Sequence, residues 1–308
     1  MCSQPTVVLF GSVKSSDIVL RVLAEEGLRP AKVYSLQPKP GQEISGYYPI
    51  HETARELGLP WEMFTKINAP EIIRELEELA PDYLFVVGLS QLIGPEILHA
   101  AKQGVIGLHP APLPKYRGRA SLVWQMLRGE TQSAVSLFFI DEGMDTGDLI
   151  VQEPFPIEPQ DYIYDADQRM LQALERGMVR VARMLRSGTV ARIHQDHTKA
   201  TYGLKRTPED GEISWELPAQ QIQLLIRAVS RPYPGAFSLY DGTCKVIFWR
   251  AEVLENHQYI GNNGQICAVG ENSIDVLCRD GILRVTEYEL CGEVKTASGK
   301  LLVGHKFR

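Results

Sequence analysis

A histidine followed by three closely spaced prolines is the feature of this sequence that most clearly points to chemistry. His109 ends the apolar run of residues 105–109 and is followed by Pro110, Pro112 and Pro114. Because each proline fixes its own φ angle and lacks a backbone donor, this loop is expected to be stiff and to hold the imidazole in one place. A fixed imidazole is suited to accept and return a proton near neutral pH.

An acidic segment further along the chain supplies a partner for this histidine. Residues 141–148 (DEGMDTGD) follow a predicted strand at residues 134–140. A carboxylate from this segment is expected to reach His109, orient the ring and make it a stronger base. The segment does not predict calcium binding, because it lacks the residue spacing of an EF-hand loop. Lys115, Arg117 and Arg119 are expected to bring positive charge to the same rim.

The first half of the chain alternates short strands with helices, which predicts an α/β fold. The pattern is that of an open, mostly parallel Rossmann-like sheet with helices on both faces. Strands are predicted at residues 6–10, 32–36, 83–87, 105–109 and 134–140, and helices at residues 17–26 (capped by Ser15 or Ser16), 51–57, 70–79, 95–102 and 161–186.

Ligands of such sheets bind outside the carboxyl ends of the strands. Residues 88–93 and the stretch that begins at His109 are therefore the candidate binding segments. No nicotinamide cofactor is expected, because Gly11 is followed by Ser-Val-Lys-Ser and lacks the dinucleotide fingerprint. No metal site is expected either, since His194 and His197 have no further ligands at suitable spacing.

The pattern changes near residue 200. The polar residues 192–206 show no periodicity and are interpreted as a linker. A helix at residues 218–229 and four short strands with Gly-containing turns come next, which predicts a small open β-barrel of the OB type. The expected domains are residues 1–200, which carry the chemistry, and residues 201–308.

Composition excludes several classes of protein. With 32 Lys and Arg against 38 Asp and Glu, the net charge of −6 argues against nucleic-acid binding through a broad basic surface. No apolar run is long enough for a membrane span and no signal peptide is evident, so a cytoplasmic protein without a membrane partner is predicted. The five cysteines form no CxxC pair, which favours free thiols.

Residues 109–121 (HPAPLPKYRGRAS), followed by DEGMDTGD, resemble the 10-formyltetrahydrofolate-dependent formyltransferases. The segments 206–215 (RTPEDGEISW) and 226–237 (IRAVSRPYPGAF) extend the resemblance to the two-domain members, whose second domain is a small open β-barrel. The resemblance implies direct transfer of a formyl group from 10-formyltetrahydrofolate to an amine.

The family's functional residues carry over to several positions of this chain. His109 corresponds to the base and Asp145 to the aspartate that orients it, whereas Gly107 stands where the family has an Asn that stabilises the oxyanion. The resemblance also implies folate contacts from the segment after residues 83–87, from the DEGMDTGD wall and from one arginine. These positions are Gln91, Leu92, Ile93, Arg119, Asp141, Glu142, Gly143 and Met144.

The acceptor amine is not determined by these residues. Members that act on methionyl-tRNA carry a Lys/Arg-rich insertion where this chain has residues 37–50, which hold one Lys and one Glu. An amino-deoxysugar nucleotide is therefore the expected acceptor, with methionyl-tRNA as the alternative. Because of Gly107, formyltetrahydrofolate hydrolysis or non-catalytic binding of folate or a nucleotide sugar also stay open. The edges of the barrel are compatible with a homodimer.

Overall fold

The structure is a computed structural model that describes residues 4–39, 41, 44, 46–89, 91–256, 258–294 and 299–308. Cys2 and parts of the segments 37–50 and 88–93 lie outside the described residues. The chain divides into two compact units. The first comprises Met1–Ser121, Thr131–Ile157 and Asp167–Leu204, and the second Leu122–Glu130, Glu158–Ala166 and Lys205–Arg308.

The first unit is built on a seven-stranded sheet and a short two-stranded ribbon. The sheet has the order β3-β2-β1-β4-β5-β7-β8, and β6 pairs with β9. The strands are β1 (Val7–Gly11), β2 (Lys32–Leu36), β3 (Trp61–Phe64), β4 (Tyr83–Val87), β5 (Gly104–His109), β6 (Arg117–Gly118), β7 (Gln132–Ile140), β8 (Leu149–Pro156) and β9 (Tyr202–Gly203). β1 to β5 run parallel, and β7 and β8 are antiparallel to their neighbours. The predicted mostly parallel sheet is confirmed, and β3 is a strand that the sequence pattern had not indicated.

Both faces of this sheet are covered. Val7, Val8, Leu9 and Phe10 are all buried, although successive side chains of a strand point to opposite faces. On one face Val8 and Phe10 belong to the same core cluster as residues of α3 (Pro70–Leu79). Fully apolar strands such as β1 and β4 are thus explained by a sheet that is enclosed between two layers.

The seven α-helices follow in chain order. They are α1 (Lys14–Glu25), α2 (Ile50–Glu56), α3 (Pro70–Leu79), α4 (Pro95–His99), α5 (Ser121–Leu127), α6 (Ile163–Ser187) and α7 (Ala219–Val229), with 3-10 turns at His197–Lys199 and Pro208–Gly211. The prediction that Ser15 or Ser16 is the N-cap of α1 is wrong, because Val13 holds that position. The Ser16 hydroxyl lies inside the first turn, where it accepts from the backbone N–H groups of Ser12 and Val13 and donates to the Val87 carbonyl.

The segment interpreted as a linker is an ordered part of the first unit. Ile193 forms a β-bridge with Leu149, and β9 pairs with β6. Gln195 is buried, with 5% of its surface exposed. The segment shows no periodicity because it is held by polar hydrogen bonds, which leave no pattern of apolar residues in the sequence.

The second unit contains a five-stranded antiparallel sheet in the order β10-β11-β14-β13-β12. Its strands are β10 (Ala236–Tyr240), β11 (Cys244–Leu254), β12 (Ile266–Val269), β13 (Ile274–Leu277) and β14 (Ile282–Cys291). The C-terminal residues join its two edges: Arg308 and Leu239 exchange backbone hydrogen bonds, and Ile266 donates to the His305 carbonyl. The predicted small C-terminal β domain is confirmed.

The described residues show two further properties of the chain. None of their helices is both long enough and apolar enough to cross a membrane. Cys244, Cys267, Cys278 and Cys291 are free thiols. Burial raises the pKa of Cys278 to about 12, so this thiol is kept in its protonated, weakly nucleophilic form.

Asp167 in α6 predicts a pH-dependent stability. Burial raises the pKa of this carboxyl to about 6, so the native state binds its proton more tightly than the unfolded chain does. The cost of ionising it is absent below its unfolded pKa and fully present above pH 6, so stability falls across this range. We expect Asp167→Asn to raise the free energy of unfolding at pH 8 by about 1–2 kcal/mol, allowing for partial exposure, and to change it little at pH 4.

Urea unfolding at the two pH values measures this effect. Glu175→Gln on the exposed side of the same helix is the matched control, and it is expected to change stability equally at both. A gain in Asp167→Asn that is the same at pH 4 and pH 8 would contradict the assignment.

Candidate active site

His109 is the last residue of β5, and its surroundings fix the tautomer of its ring. The side chain is buried, and its Nε2 lies 2.7 Å from the Tyr116 carbonyl oxygen. Because a carbonyl can only accept, Nε2 carries a proton and donates it. Nδ1 is therefore the ring nitrogen at which a proton can be taken up or released.

The loop after His109 is anchored by two neighbouring strands as well as stiffened by its prolines. The Ser136 hydroxyl of β7 donates to the Ala111 carbonyl at 2.6 Å, and the Leu113 N–H donates to that hydroxyl at 3.2 Å. The Gln152 amide of β8 donates to the Leu113 carbonyl at 2.6 Å. Ser136 and Gln152 were not expected from the sequence, because a single polar residue in a strand gives no sign of what it contacts.

Asp145 faces His109, but it arrives there by an unexpected route. β7 is antiparallel to β5, so Ile140 pairs with Val105 and the acidic segment begins at the opposite end of β5 from His109. The segment folds back until Asp145 Oδ2 lies 3.6 Å from His109 Nδ1. The same oxygen accepts from the Gly118 N–H at 2.7 Å, which fixes the carboxylate beside the ring.

Backbone geometry around Asp145 is unusual. Asp145 has a φ of 54°, in the left-handed region that few residues other than glycine adopt. Gly118 has a φ of 96°, and a Cβ there would lie 2.6 Å from the Gly203 carbonyl oxygen and 3.2 Å from Met144 Sδ. A glycine is therefore required for the two loops to approach closely enough for the Gly118–Asp145 hydrogen bond.

The first four residues of the acidic loop form an exposed wall. The Asp141 carboxylate organises the turn by accepting from the Gly143 N–H at 3.1 Å and the Thr146 hydroxyl at 2.5 Å. Asp141, Glu142, Gly143 and Met144 are all exposed, with 59% of the Met144 surface accessible. They are accessible to a ligand, although one oxygen of Asp141 is already used within the loop.

The segment after β4 is held in place by its own polar side chains. The Gln91 amide accepts from the Ile67 N–H at 2.9 Å and donates to the Thr65 carbonyl at 2.8 Å. Asn68 donates to the Leu92 carbonyl and accepts from the Gly94 N–H. Gln91 and Asn68 therefore fix the backbone, whereas 84% of the Leu92 surface is exposed and free to contact a ligand.

The three basic residues of the loop differ in their surroundings. Lys115 and Arg119 are exposed, but Arg117 is buried, with 1% of its surface accessible. The expectation that Arg117 brings positive charge to the rim is wrong, because its guanidinium is turned into the unit, where it contacts Gln195, His197 and Tyr202. In a sequence, three alternating basic residues give no indication of which one is buried.

The space beside Gly107 is filled by a neighbouring side chain. A Cβ at this position would lie 2.8 Å from Ile140 Cγ1 and 2.9 Å from Ile140 Cδ1. Gly107 and Phe138 are paired across β5 and β7, and Ile140 leans over the glycine from the same face. The position where an Asn would donate to an oxyanion is thus occupied by apolar atoms.

Two further observations concern the candidate ligands of a metal and the comparison with the sequence prediction. Among the described residues, no group of three or more His, Cys, Asp or Glu side chains is arranged to hold a metal ion. The exposed His194 contacts Asp148, and His197 contacts the Arg117 guanidinium.

Known proteins with similar sequences and folds agree with this architecture. The family model described as formyl transferase matches residues 6–182, and that of the formyl transferase C-terminal domain matches residues 205–305. A methionyl-tRNA formyltransferase of Geotalea uraniireducens is 31% identical over 258 residues, which cover 84% of this chain and 81% of that protein. These matches confirm the resemblance seen in residues 109–121.

Two solved structures share the fold at low sequence identity. An N-formyltransferase from Helicobacter canadensis, solved with folinic acid and dTDP-3-aminofucose, has a TM-score of 0.68 and 18% identity. The alignment covers 92% of this chain and all of that one. HypX from Aquifex aeolicus, solved with tetrahydrofolic acid, has a TM-score of 0.66 and 19% identity over 94% of this chain, which spans 45% of the HypX chain.

Both units of the chain, the catalytic-type sheet with its His109–Asp145 pair and the C-terminal β domain, are covered by these matches. The chain belongs to the formyl transferase family.

Proposed function

We propose that this protein transfers the formyl group of 10-formyltetrahydrofolate to a primary amine, with His109 as the base. The observation that carries this proposal is the fixed tautomer of His109. Its Nε2 proton is donated to the Tyr116 carbonyl, which leaves Nδ1, 3.6 Å from Asp145 Oδ2, to exchange protons.

Transfer at this site follows a balanced sequence of proton and bond changes. The amine nitrogen bonds to the formyl carbon, and the carbonyl electron pair moves onto oxygen. His109 Nδ1 takes a proton from the attacking nitrogen, and the adjacent Asp145 carboxylate stabilises the imidazolium. The proton then passes to the folate nitrogen as its bond to the formyl carbon breaks, which gives a formamide and tetrahydrofolate.

The folate is proposed to lie between the exposed residues on either side of the dyad. Leu92 and Ile93 after β4 form one side, Asp141, Glu142, Gly143 and Met144 form the other, and Arg119 offers an exposed cation to a folate carboxylate. Gln91 supports this site by fixing the backbone of its own segment. The complexes of the two solved neighbours, one with folinic acid and one with tetrahydrofolic acid, support a folate as the formyl donor.

The proposed acceptor is an amino-deoxysugar linked to a nucleotide. The net charge of −6 and the segment 37–50, with one Lys and one Glu, offer little to a polyanionic RNA. The Helicobacter canadensis structure, solved with dTDP-3-aminofucose, supports an acceptor of this class.

Methionyl-tRNA is the second candidate acceptor. It is favoured by the sequence relatives, one of which is a methionyl-tRNA formyltransferase that is 30% identical over 98% of this chain. Acidic proteins can still bind tRNA through a local basic patch, so the net charge does not decide between the two.

A direct assay distinguishes these functions. The protein is incubated with 10-formyltetrahydrofolate and either dTDP-3-aminofucose or methionyl-tRNA, and the mass of the acceptor and the amount of free formate are measured. We expect a formyl mass on the sugar nucleotide. Formylation of methionyl-tRNA alone would establish the second candidate. Free formate without acceptor would indicate a hydrolase, and folate binding with neither product would indicate a binding protein.

A further inference from the structure

Gln195 is a buried amide that contacts the catalytic loop and has no part in the mechanism described above. It lies between His194 and Asp196, which are both exposed, yet only 5% of its own surface is accessible. Its Nε2 donates to the Asp145 carbonyl at 2.9 Å and to the Gly147 carbonyl at 2.6 Å. Both amide protons are therefore used to hold the backbone of the loop that carries Asp145.

The other end of the Gln195 amide is held by Arg117. Gln195 Oε1 accepts from Arg117 Nη2 at 2.6 Å and from Arg117 Nε at 3.3 Å. Arg117 also contacts the Tyr202 hydroxyl and His197 Nδ1, and it forms no ion pair with a carboxylate in the described part of the chain. A buried guanidinium with neutral partners keeps its position only while those acceptors stay in place.

These contacts hold Asp145 at two points. Gly118, the residue after Arg117, donates its N–H to the Asp145 carboxylate, while Gln195, bonded to Arg117, holds the Asp145 carbonyl. Asp145 adopts a left-handed φ of 54°, a conformation that persists only when the surrounding structure imposes it. The backbone bonds from Gln195 supply that constraint.

We propose that Gln195 is a positioning residue for formyl transfer: it clamps the Asp145–Gly147 backbone to the buried Arg117 and thereby keeps the Asp145 carboxylate against His109. This inference rests on the proposed function, in which His109 and Asp145 carry the proton. It assigns a role in the reaction to a segment whose sequence resembles a linker.

Gln195→Glu separates the two contacts of this side chain. The glutamate retains an oxygen for Arg117 but replaces both donors to the loop by an oxygen that repels the Asp145 and Gly147 carbonyls. We expect kcat for the accepting amine, either dTDP-3-aminofucose or methionyl-tRNA, to fall by about 10- to 100-fold, because a displacement of about 1 Å at a catalytic group has effects of this size. The thermal unfolding temperature is expected to stay unchanged or rise.

A double-mutant cycle tests whether Gln195 acts through Asp145. In the Asp145→Asn background we expect Gln195→Glu to lower kcat by no more than about twofold, since residues that act through one another are not additive. His197→Ala, which removes another neutral partner of Arg117 without touching the loop, is the control and is expected to keep the wild-type rate. An equal loss from Gln195→Glu in both backgrounds would overturn the proposal.

Hydrogen exchange provides a readout that needs no substrate. In the free protein we expect Gln195→Glu to speed exchange of the Gly118 amide, whose acceptor is the Asp145 carboxylate, and to leave the amides of β4 unchanged. Unchanged protection of Gly118 would overturn the positioning role. If the wild-type protein formylates neither amine, the proposed function fails, while the exchange result still decides whether Gln195 holds the loop.

Discussion

Replacing His109 by glutamine is expected to lower kcat for formyl transfer by about 10²- to 10⁴-fold, the range found for loss of a general base. Glutamine retains an N–H that can reach the Tyr116 carbonyl, so the loop keeps its anchor, but it has no nitrogen that titrates near neutral pH. The loss is expected in kcat more than in the affinity for folate. Steady-state kinetics and equilibrium binding of tetrahydrofolate measure the two quantities separately.

His194→Gln is the matched control for this substitution. His194 also contacts an aspartate of the acidic loop, Asp148, but its side chain is 93% exposed. We expect this variant to retain the wild-type rate. A His109→Gln protein that folds, binds folate and transfers the formyl group at the wild-type rate would show that another group accepts the proton.

The second large effect is expected at Gly107, where the amide of an Asn would stabilise the oxyanion. Gly107→Asn alone is expected to destabilise the protein by about 1–3 kcal/mol, the usual range for overpacking, because its Cβ would lie 2.8 Å from Ile140 Cγ1. Combining it with Ile140→Ala removes the obstructing atoms. We expect this double variant to show a kcat at least about tenfold above that of Ile140→Ala, since one oxyanion donor elsewhere contributes about 10²- to 10³-fold.

Gly107→Ala with Ile140→Ala is the control for this comparison, because it adds the same Cβ without an amide. The ratio of kcat between the Asn and Ala double variants isolates the amide donor. A ratio near one would mean that this chain already supplies the donor from its backbone, from His109 or from the substrate.

The sequence by itself determined the elements whose stability is local or whose burial is complete. The helix predicted at residues 70–79 and the strand predicted at residues 83–87 are observed with those bounds. One follows from a proline at its first position and a regular apolar face, and the other from an uninterrupted apolar run. Six apolar side chains predicted to point inward from the long helix α6 are buried: Met170, Leu171, Leu174, Met178, Val181 and Leu185.

The candidate site was determined by sequence only in part. His109 and Asp145 were predicted together, and the structure brings them to 3.6 Å. The route was not predictable, because the apolar pattern of β7 is the same for either strand direction, and only the pairing of Ile140 with Val105 reveals that the acidic loop must fold back.

Polar contacts between distant segments were decided only by the tertiary structure. Gln195 lies 50 positions from Asp145 and 78 from Arg117, and neither its type nor its neighbours in the sequence distinguish it from an exposed linker residue. Apolar residues that form a core leave a periodic pattern in the sequence, because each element must present a continuous face. A buried hydrogen bond needs only two groups at the right distance, and that distance exists only once the chain has folded.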